Sequence, residues 1–518
     1  MNHTRQQRIC QAWTRGMIGA LILQCMILLP QTHAQTNPAI VYLDSLRQVI
    51  SGFGAANIVP WRPDMNADNI LKAFGTGPGQ IGFSLLRLRI PYQTSEFALN
   101  VPAAQAAYGI GVKVFASPWT PPAWMKTSNN IVGGRLYDTS YASYAAHLKS
   151  FVDFMSGNGV PLHAVSLQNE PDIQVTYESC DWNGAEFIKF LKEQGTNVGT
   201  KIIVPESFNF NHTMSDAILN DSSAASKVDI IGGHIYGGGL TAYPLVAAKG
   251  KEFWMTEHLV LDTTWTAVFG TGKEIYDCMN AGMNAYIWWY IVRFYGPIHE
   301  NGYVTKRGYV MSQYSRFIRP GYHRVLTTIP RGKVFLTGYK SSSKLVIVAL
   351  NTDTSKVAQT ISLQNLWGTA ASVTPYVTSS TKDCQQGSVI PISDGSFTDT
   401  LDASSVTTFV ANVVVGVKDV PDVPHSYMLS QNYPNPFNPV TVIRFELPVA
   451  SRVSLTVTDL LGREVATLVR GELAAGYHQT EWNAQAVASG LYFYRLEVTA
   501  IQNPEMVFVE TRKMLLLR

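Results

Sequence analysis

The stretch His163-Ala164-Val165-Ser166-Leu167-Gln168-Asn169-Glu170-Pro171 decides the fold. A short run of apolar and small residues, the mark of a strand covered on both faces, ends in an amide and a carboxylate. Six further runs have the same build: Phe83 to Pro91, Val112 to Trp119, Lys201 to Phe208, Asp229 to Gly237, Glu252 to His258 and Ala285 to Phe294. With a first strand near Gly52-Phe53-Gly54 they make eight, and helical stretches separate them. That rhythm over residues 51–319 predicts an α/β fold, a (β/α)8 TIM barrel. Between the third and fourth runs Tyr144, Leu148, Phe151 and Met155 recur at helical spacing and are expected in the core.

Outward from the barrel the pattern changes. Beyond Pro320 short alternating strands appear at Lys333 to Tyr339, Lys344 to Leu350, Gln359 to Leu363 and Ser405 to Val410. Residues 35–50, ahead of the barrel, read as one more strand of the same side β-sandwich, so this domain is expected to combine 35–50 with 320–416. Residues 417–428, rich in Val, Asp and Pro, are the expected linker. A small all-β domain follows at 429–518, with strands near Val442 to Leu447, Val453 to Asp459 and Leu491 to Val498. In Tyr492-Phe493-Tyr494 the alternation assigns the rings to packing, not to a sugar platform.

Residues 1–34 carry Arg5, Arg8 and Arg15, an apolar run from Met17 to Leu29, and Thr32-His33-Ala34 at the end, which reads as a secretory signal. The apolar run is short for a bilayer span, and no transmembrane anchor is expected. The whole chain has a formal net charge of +3, and removing those three arginines brings it to 0, so no nucleic-acid surface is expected. Cys180, Cys278 and Cys384 lie at spacings unlike those of zinc sites, with one disulfide possible. Neither a metal nor a cofactor is expected.

In a barrel of this kind the reactive groups stand where strands end. Three carboxylates qualify, Glu170, Glu206 and Glu257, and spacing alone does not rank them. Glycoside hydrolysis uses two carboxyl groups, one protonated and one ionised, and strands four and seven face each other across the barrel mouth. Enclosure is expected to raise the pKa of Glu170 and make it the proton donor, with Asn169 on a sugar hydroxyl. Arg87 and the hydroxyl of Tyr236 are expected to hold Glu257 ionised as the nucleophile.

These residues resemble glycoside hydrolase family 30 over about 40–412. The likeness rests on Gly52-Phe53-Gly54, on Phe115-Ala-Ser-Pro-Trp-Thr-Pro-Pro122, on Ser166-Leu-Gln-Asn-Glu-Pro-Asp172 and on Val204-Pro-Glu-Ser207. It continues through Gly233-His-Ile-Tyr236, Trp254-Met-Thr-Glu-His258, Trp288-Trp-Tyr-Ile291 and Lys306-Arg-Gly-Tyr309. The resemblance implies retention of anomeric configuration, Glu170 as acid/base, Glu257 as nucleophile, and Trp119 and Trp289 stacking on sugars, with His234 in the substrate site. Trp288-Trp-Tyr-Ile-Val-Arg-Phe-Tyr-Gly296 is similar to the strand-eight signature of the glucuronoxylan-specific endoxylanases. It implies xylan as substrate, with Arg293 and Tyr295 reading a glucuronate branch. An ion pair of Arg293 with Glu300 is the alternative for that residue.

The tail resembles the type A sorting domain of the type IX secretion system through Leu429-Ser-Gln-Asn-Tyr-Pro-Asn-Pro-Phe-Asn-Pro439, Asp459-Leu-Leu-Gly-Arg-Glu-Val465, Ser489-Gly-Leu-Tyr-Phe-Tyr494 and Lys513-Met-Leu-Leu-Leu517. The secretion machinery is the partner this implies, and secretion the destination. Two rival readings stand beside the endoxylanase: another family 30 specificity (unbranched xylan, exo-xylosidase or β-glucanase), and a non-catalytic polysaccharide-binding surface protein.

Overall fold

A computed structural model describes residues 37–328, 332–415, 424, 426–501, 503 and 505–517. The expected signal segment 1–34 and most of the expected linker 417–428 lie outside them. Two compact units divide at Val414/Val415.

In the first unit eight parallel strands close into a barrel. They are β1 (Gly52–Ala56), β2 (Leu85–Ile90), β3 (Lys113–Pro118), β4 (Ala164–Ser166), β5 (Lys201–Ser207), β6 (Ile230–His234), β7 (Glu252–Glu257) and β8 (Ala285–Tyr290). Leu85, Phe115, Ala164, Ile203, Ile230, Trp254, Ala285 and Ile287 form one fully buried cluster that fills the barrel. Because side chains on a strand alternate, the next inward positions towards the C-terminal ends are Arg87 on β2 and Ser117 on β3, with His234 and Trp289 one step further on β6 and β8. The floor of the barrel thus dictates which residues reach the mouth.

Two carboxylates break that alternation, and register shifts re-aim them. Between β5 and β6 the pairing slips at Pro205/Ser207, where Glu206 is the additional residue, and between β6 and β7 it slips at Gly233/His234, opposite Thr256. Glu206 and Glu257 are turned inward as a result. The helix Tyr141–Gly157 buries Tyr144, Leu148, Phe151 and Met155 against the barrel.

The side domain is a ten-stranded sheet in which Ala39–Val49 lies between His323–Thr327, antiparallel, and Val357–Gln364, parallel. Its core includes Val41, Leu43, Ile347 and Phe409. Helix Lys306–Ser315 ties it to the barrel, since Thr408 Oγ1 donates to Gln313 O at 2.6 Å and Gln313 Nε2 to Thr378 Oγ1 at 2.7 Å. The second unit holds a three-stranded and a four-stranded sheet around Leu455, Trp482, Tyr492, Tyr494 and Met514, so two rings of the Tyr-Phe-Tyr triplet are core. Among the described residues no helix is long and apolar enough to cross a membrane. Cys180, Cys278 and Cys384 are buried free thiols, and the possible disulfide does not form.

Candidate active site

At the C-terminal mouth of the barrel a cavity of about 560 Å³ is lined by Trp61, Trp119, Glu170, Tyr177, Phe208, Tyr236, Glu257, Leu259 and Trp289. Aromatic faces around a pair of carboxylates suit a pyranose, whose C–H faces stack and whose hydroxyls need polar partners. Trp119 is braced edge-on by Trp61 at 5.2 Å and tilts towards Trp289 at 5.7 Å.

Arg87 stands at the base of the site and is fully buried. Its Nη1 donates to Glu257 Oε2, its Nη2 to Asn169 Oδ1 at 2.7 Å and to Glu206 at 3.3 Å, and its Nε to Ser117 Oγ at 3.2 Å. Burial opposes its charge, but Glu206 and Glu257 raise its pKa above the ordinary value. A planar guanidinium with five donors can hold these four partners at once, whereas an ammonium has only three donors.

Glu257 accepts a second bond, at 3.0 Å, from the Tyr236 hydroxyl. Glu170 follows β4 with a left-handed backbone, φ +45°, its N–H donating to Glu206 O at 3.0 Å, and Glu206 shares the conformation at φ +54°. Such conformations are uncommon outside glycine and gather at functional sites. Glu170 Oε2 accepts from the Tyr177 hydroxyl at 3.0 Å, and its Oε1 lies 2.9 Å from His234 Nδ1.

His234 is completely buried, with Nε2 3.9 Å from Glu257 and 4.0 Å from Glu206. Burial lowers its pKa, yet Glu257, Glu170 and Glu206 lift it to about 9, so it is an imidazolium at neutral pH. Glu206 is pushed the other way, to about 2, because the Arg87 guanidinium and His234 outweigh the burial that would raise it. It is therefore an ionised counter-ion beneath the cavity and does not line it.

Two expectations for the acidities of Glu170 and Glu257 are reversed. For Glu170 burial acts upward, but the hydrogen bond and charge of His234, the Tyr177 hydroxyl and Arg87 bring its pKa below the ordinary carboxylate value. For Glu257 burial dominates, and with the charge of Glu170 it raises the pKa against the pull of His234 and Arg87. For Glu170 the leading downward cause is His234, expected in the substrate site and bonded to Glu170; for Glu257 the cause is burial. One acidic ligand atom from each of Glu170 and Glu257 lies within 4.8 Å of the other and of a His234 nitrogen. A divalent ion would also accept that spacing, but Arg87 and the imidazolium already supply the positive charge there.

The remaining predicted residues separate. Trp119, Tyr236 and Trp289 line the cavity, whereas Arg87, Asn169 and His234 support the carboxylates from behind. Arg293 pairs with Glu300 at 2.5 Å, and Tyr295 lines a neighbouring cavity of about 470 Å³ with Phe294, His299 and Tyr303. Neither borders the cavity of Glu170 and Glu257. Trp61, Tyr177 and Phe208 were not singled out from sequence. Phe208 closes the strand-five run and was legible there, but Tyr177 lies in a loop without periodicity.

Residues 82–253 match the model of the Glycosyl hydrolase family 30 TIM-barrel domain, and residues 431–509 that of the Secretion system C-terminal sorting domain. The tail therefore carries a secretion signal, and the chain is a secreted protein. "Glucuronoxylanase XynC" of Bacillus subtilis is 41% identical over 386 residues, 71% of this chain and 90% of that protein. The solved structure of the glycoside hydrolase family 30 subfamily 8 xylanase Xyn30A from Clostridium acetobutylicum is 40% identical, covers 73% of this chain and 100% of its own, and superposes with a TM-score of 0.69. A family 30 endoxylanase from Clostridium papyrosolvens C71 is 38% identical with a TM-score of 0.68, over 73% of this chain and 100% of its own. With the closed barrel, the paired carboxylates at its mouth and these likenesses over nearly the full length of the relatives, the chain belongs to glycoside hydrolase family 30.

Proposed function

We propose that this enzyme is a retaining endo-β-1,4-xylanase acting on glucuronoxylan, with Glu257 as nucleophile and Glu170 as acid/base. The observation that carries the mechanism is the separation of the two carboxylates, no more than 4.8 Å between their facing oxygens. Retaining glycosidases hold their carboxyl groups about 5–5.5 Å apart, while inverting ones leave about 6.5–9.5 Å for a water. Direct attack by Glu257 on the anomeric carbon fits the shorter distance. The glycosyl-enzyme ester is then hydrolysed by a water that Glu170 deprotonates.

The first step needs the proton on Glu170 and the charge on Glu257. Glu170 and His234, 2.9 Å apart, titrate as one coupled set, and the competent form of that set is the one with the proton on Glu170. Glu257, held by Arg87 and Tyr236, keeps two donors for its anionic form. The bound sugar displaces water from the cavity, which strengthens both effects.

Xylan as substrate is supported by the relatives, which are xylan-cleaving by name at 38–41% identity. Arg293 is the candidate for the glucuronate carboxylate. Its guanidinium is partly exposed and already engages the Glu300 carboxylate, so a uronate would take the place of a like group. The product profile on glucuronoxylan and on unbranched xylan tests the assignment. Internal cleavage at a fixed distance from each branch is expected, and release of single xylose units from chain ends would overturn it.

A further inference from the structure

We infer that Tyr177 is a positioning residue for Glu170, held over the acid by a buried Arg89–Glu178 fork. This rests on the reading of Glu170 as acid/base. Tyr177 is half-exposed at the cavity wall, and its hydroxyl donates to Glu170 Oε2 at 3.0 Å. The opposite oxygen is taken by His234, so the carboxyl is gripped from both sides: by a strand residue that is fixed, and by a loop residue that has to be fixed.

The loop is pinned immediately after Tyr177. Glu178 receives Arg89 Nη2 at 2.6 Å and Nε at 3.0 Å, a planar two-point contact, while Arg89 Nη1 reaches Glu96 at 3.0 Å. Arg89 is almost completely buried, with its guanidinium 5.4 Å from the Trp61 ring. On the other side Lys126 Nζ, also buried, donates to Ser179 O at 2.6 Å, and Ser179 Oγ accepts from Gly133 N at 2.9 Å. Two buried cations spent on two consecutive residues of an irregular loop cost more desolvation than packing requires. What they accomplish is a fixed Tyr177.

A phenol pointing at a carboxylate favours its anionic form. The phenol itself remains a donor, since burial and the Glu170 charge push its pKa up. The other charged or titratable groups facing Glu170 are His234, Arg87, Glu257, Tyr236 and, through its backbone, Glu206. All of these stay in place when only the Tyr177 hydroxyl is removed. Whatever share of the proton Glu170 holds in this coupled set, loss of a donor to its anion raises the apparent pKa of the set.

The test is the pH dependence of kcat/KM on xylan for Tyr177→Phe, Glu178→Gln and the double variant, beside Glu170→Gln. In Tyr177→Phe the alkaline limb is expected to move up by about one pH unit, the shift of one hydrogen bond to a charged group. Glu178→Gln should move it in the same direction by less, and the double variant should shift no further than Tyr177→Phe alone, because the fork acts through the phenol. A Tyr177→Phe profile lowered equally at every pH, or additive shifts in the double variant, would overturn the inference. If Glu170→Gln is inactive while Tyr177→Phe keeps its limb, only this inference falls. If Glu170→Gln keeps near-native activity on xylan, the acid/base reading falls with it.

Discussion

Substituting Arg87→Lys separates the charge of the guanidinium from its geometry. In the native site Arg87 meets Glu257, Asn169, Glu206 and Ser117 at once. A lysine ammonium carries the same charge on a single point with three donors in place of five, and cannot reproduce all four contacts. At least one charge-assisted hydrogen bond is lost, worth about 1.5–3 kcal/mol, and about 1.4 kcal/mol is tenfold in rate. We expect kcat/KM to fall roughly 10- to 100-fold at the pH optimum. The sign of the pH effect also follows. Glu257 must be ionised to attack, and its pKa is already raised by burial against the pull of His234 and Arg87. Weakening Arg87 raises it further, so the acidic limb of kcat/KM should move up by about one unit, and low-pH activity should suffer most. The assay is the full pH profile on soluble xylan, with thermal unfolding measured beside it. Arg87→Ala is the poorer variant, since it strands two buried carboxylates at about 3–5 kcal/mol and threatens the fold. A stable Arg87→Lys enzyme with a wild-type acidic limb would refute the claim that this guanidinium keeps the nucleophile ionised.

Four further outcomes are expected. Arg293→Ala should lower kcat/KM on glucuronoxylan about tenfold more than on unbranched xylan, and Glu300→Gln should improve the branched substrate by freeing the guanidinium; equal losses on both substrates would make Arg293 structural. Glu206, depressed to about 2 from 4.5, contributes stability that is present above about pH 4.5 and lost as pH falls through 2. Denaturant unfolding of Glu206→Gln between pH 5 and pH 3 should therefore show a flatter pH dependence than wild type, whereas an unchanged slope places the acid sensitivity elsewhere. His234 is lifted to about 9 from 6.5, so its stabilising share is complete below about pH 6.5 and lost as pH rises through 9; His234→Gln should be insensitive to that alkaline interval in the same unfolding assay. Truncation after Val415 should leave activity on soluble xylan intact while abolishing export from the native host, because the described residues divide into separate compact units there; a truncated enzyme that loses activity contradicts this.

The barrel was legible because each strand is a short apolar run bounded by turns, and closure needs eight of them. Glu170, Glu206 and Glu257 were legible as strand-end carboxylates for the same reason. Their ranking was not. It depends on register slips at Glu206 and opposite Thr256, which leave no mark in a pattern of alternation. His234 was seen as a strand-six residue, but that its ring bonds Glu170 and not sugar depends on a 2.9 Å contact between strands remote in sequence. That contact lowers the pKa of Glu170, while burial raises that of Glu257. Tyr177 escaped because a loop residue's place is set by its anchors, here Arg89 from β2 and Lys126 from the loop after β3.

Glu170 and Glu257, with an oxygen of each within 4.8 Å of the other, are proposed to perform a double displacement. Proton NMR of a glucuronoxylan digest, recorded in the first minutes before mutarotation, reads the configuration of the newly formed reducing end. The β-anomer is predicted as the first product, turning to the α/β mixture with time. A first product in the α configuration would mean a single inversion by water, and would contradict the assignment of Glu257 as nucleophile.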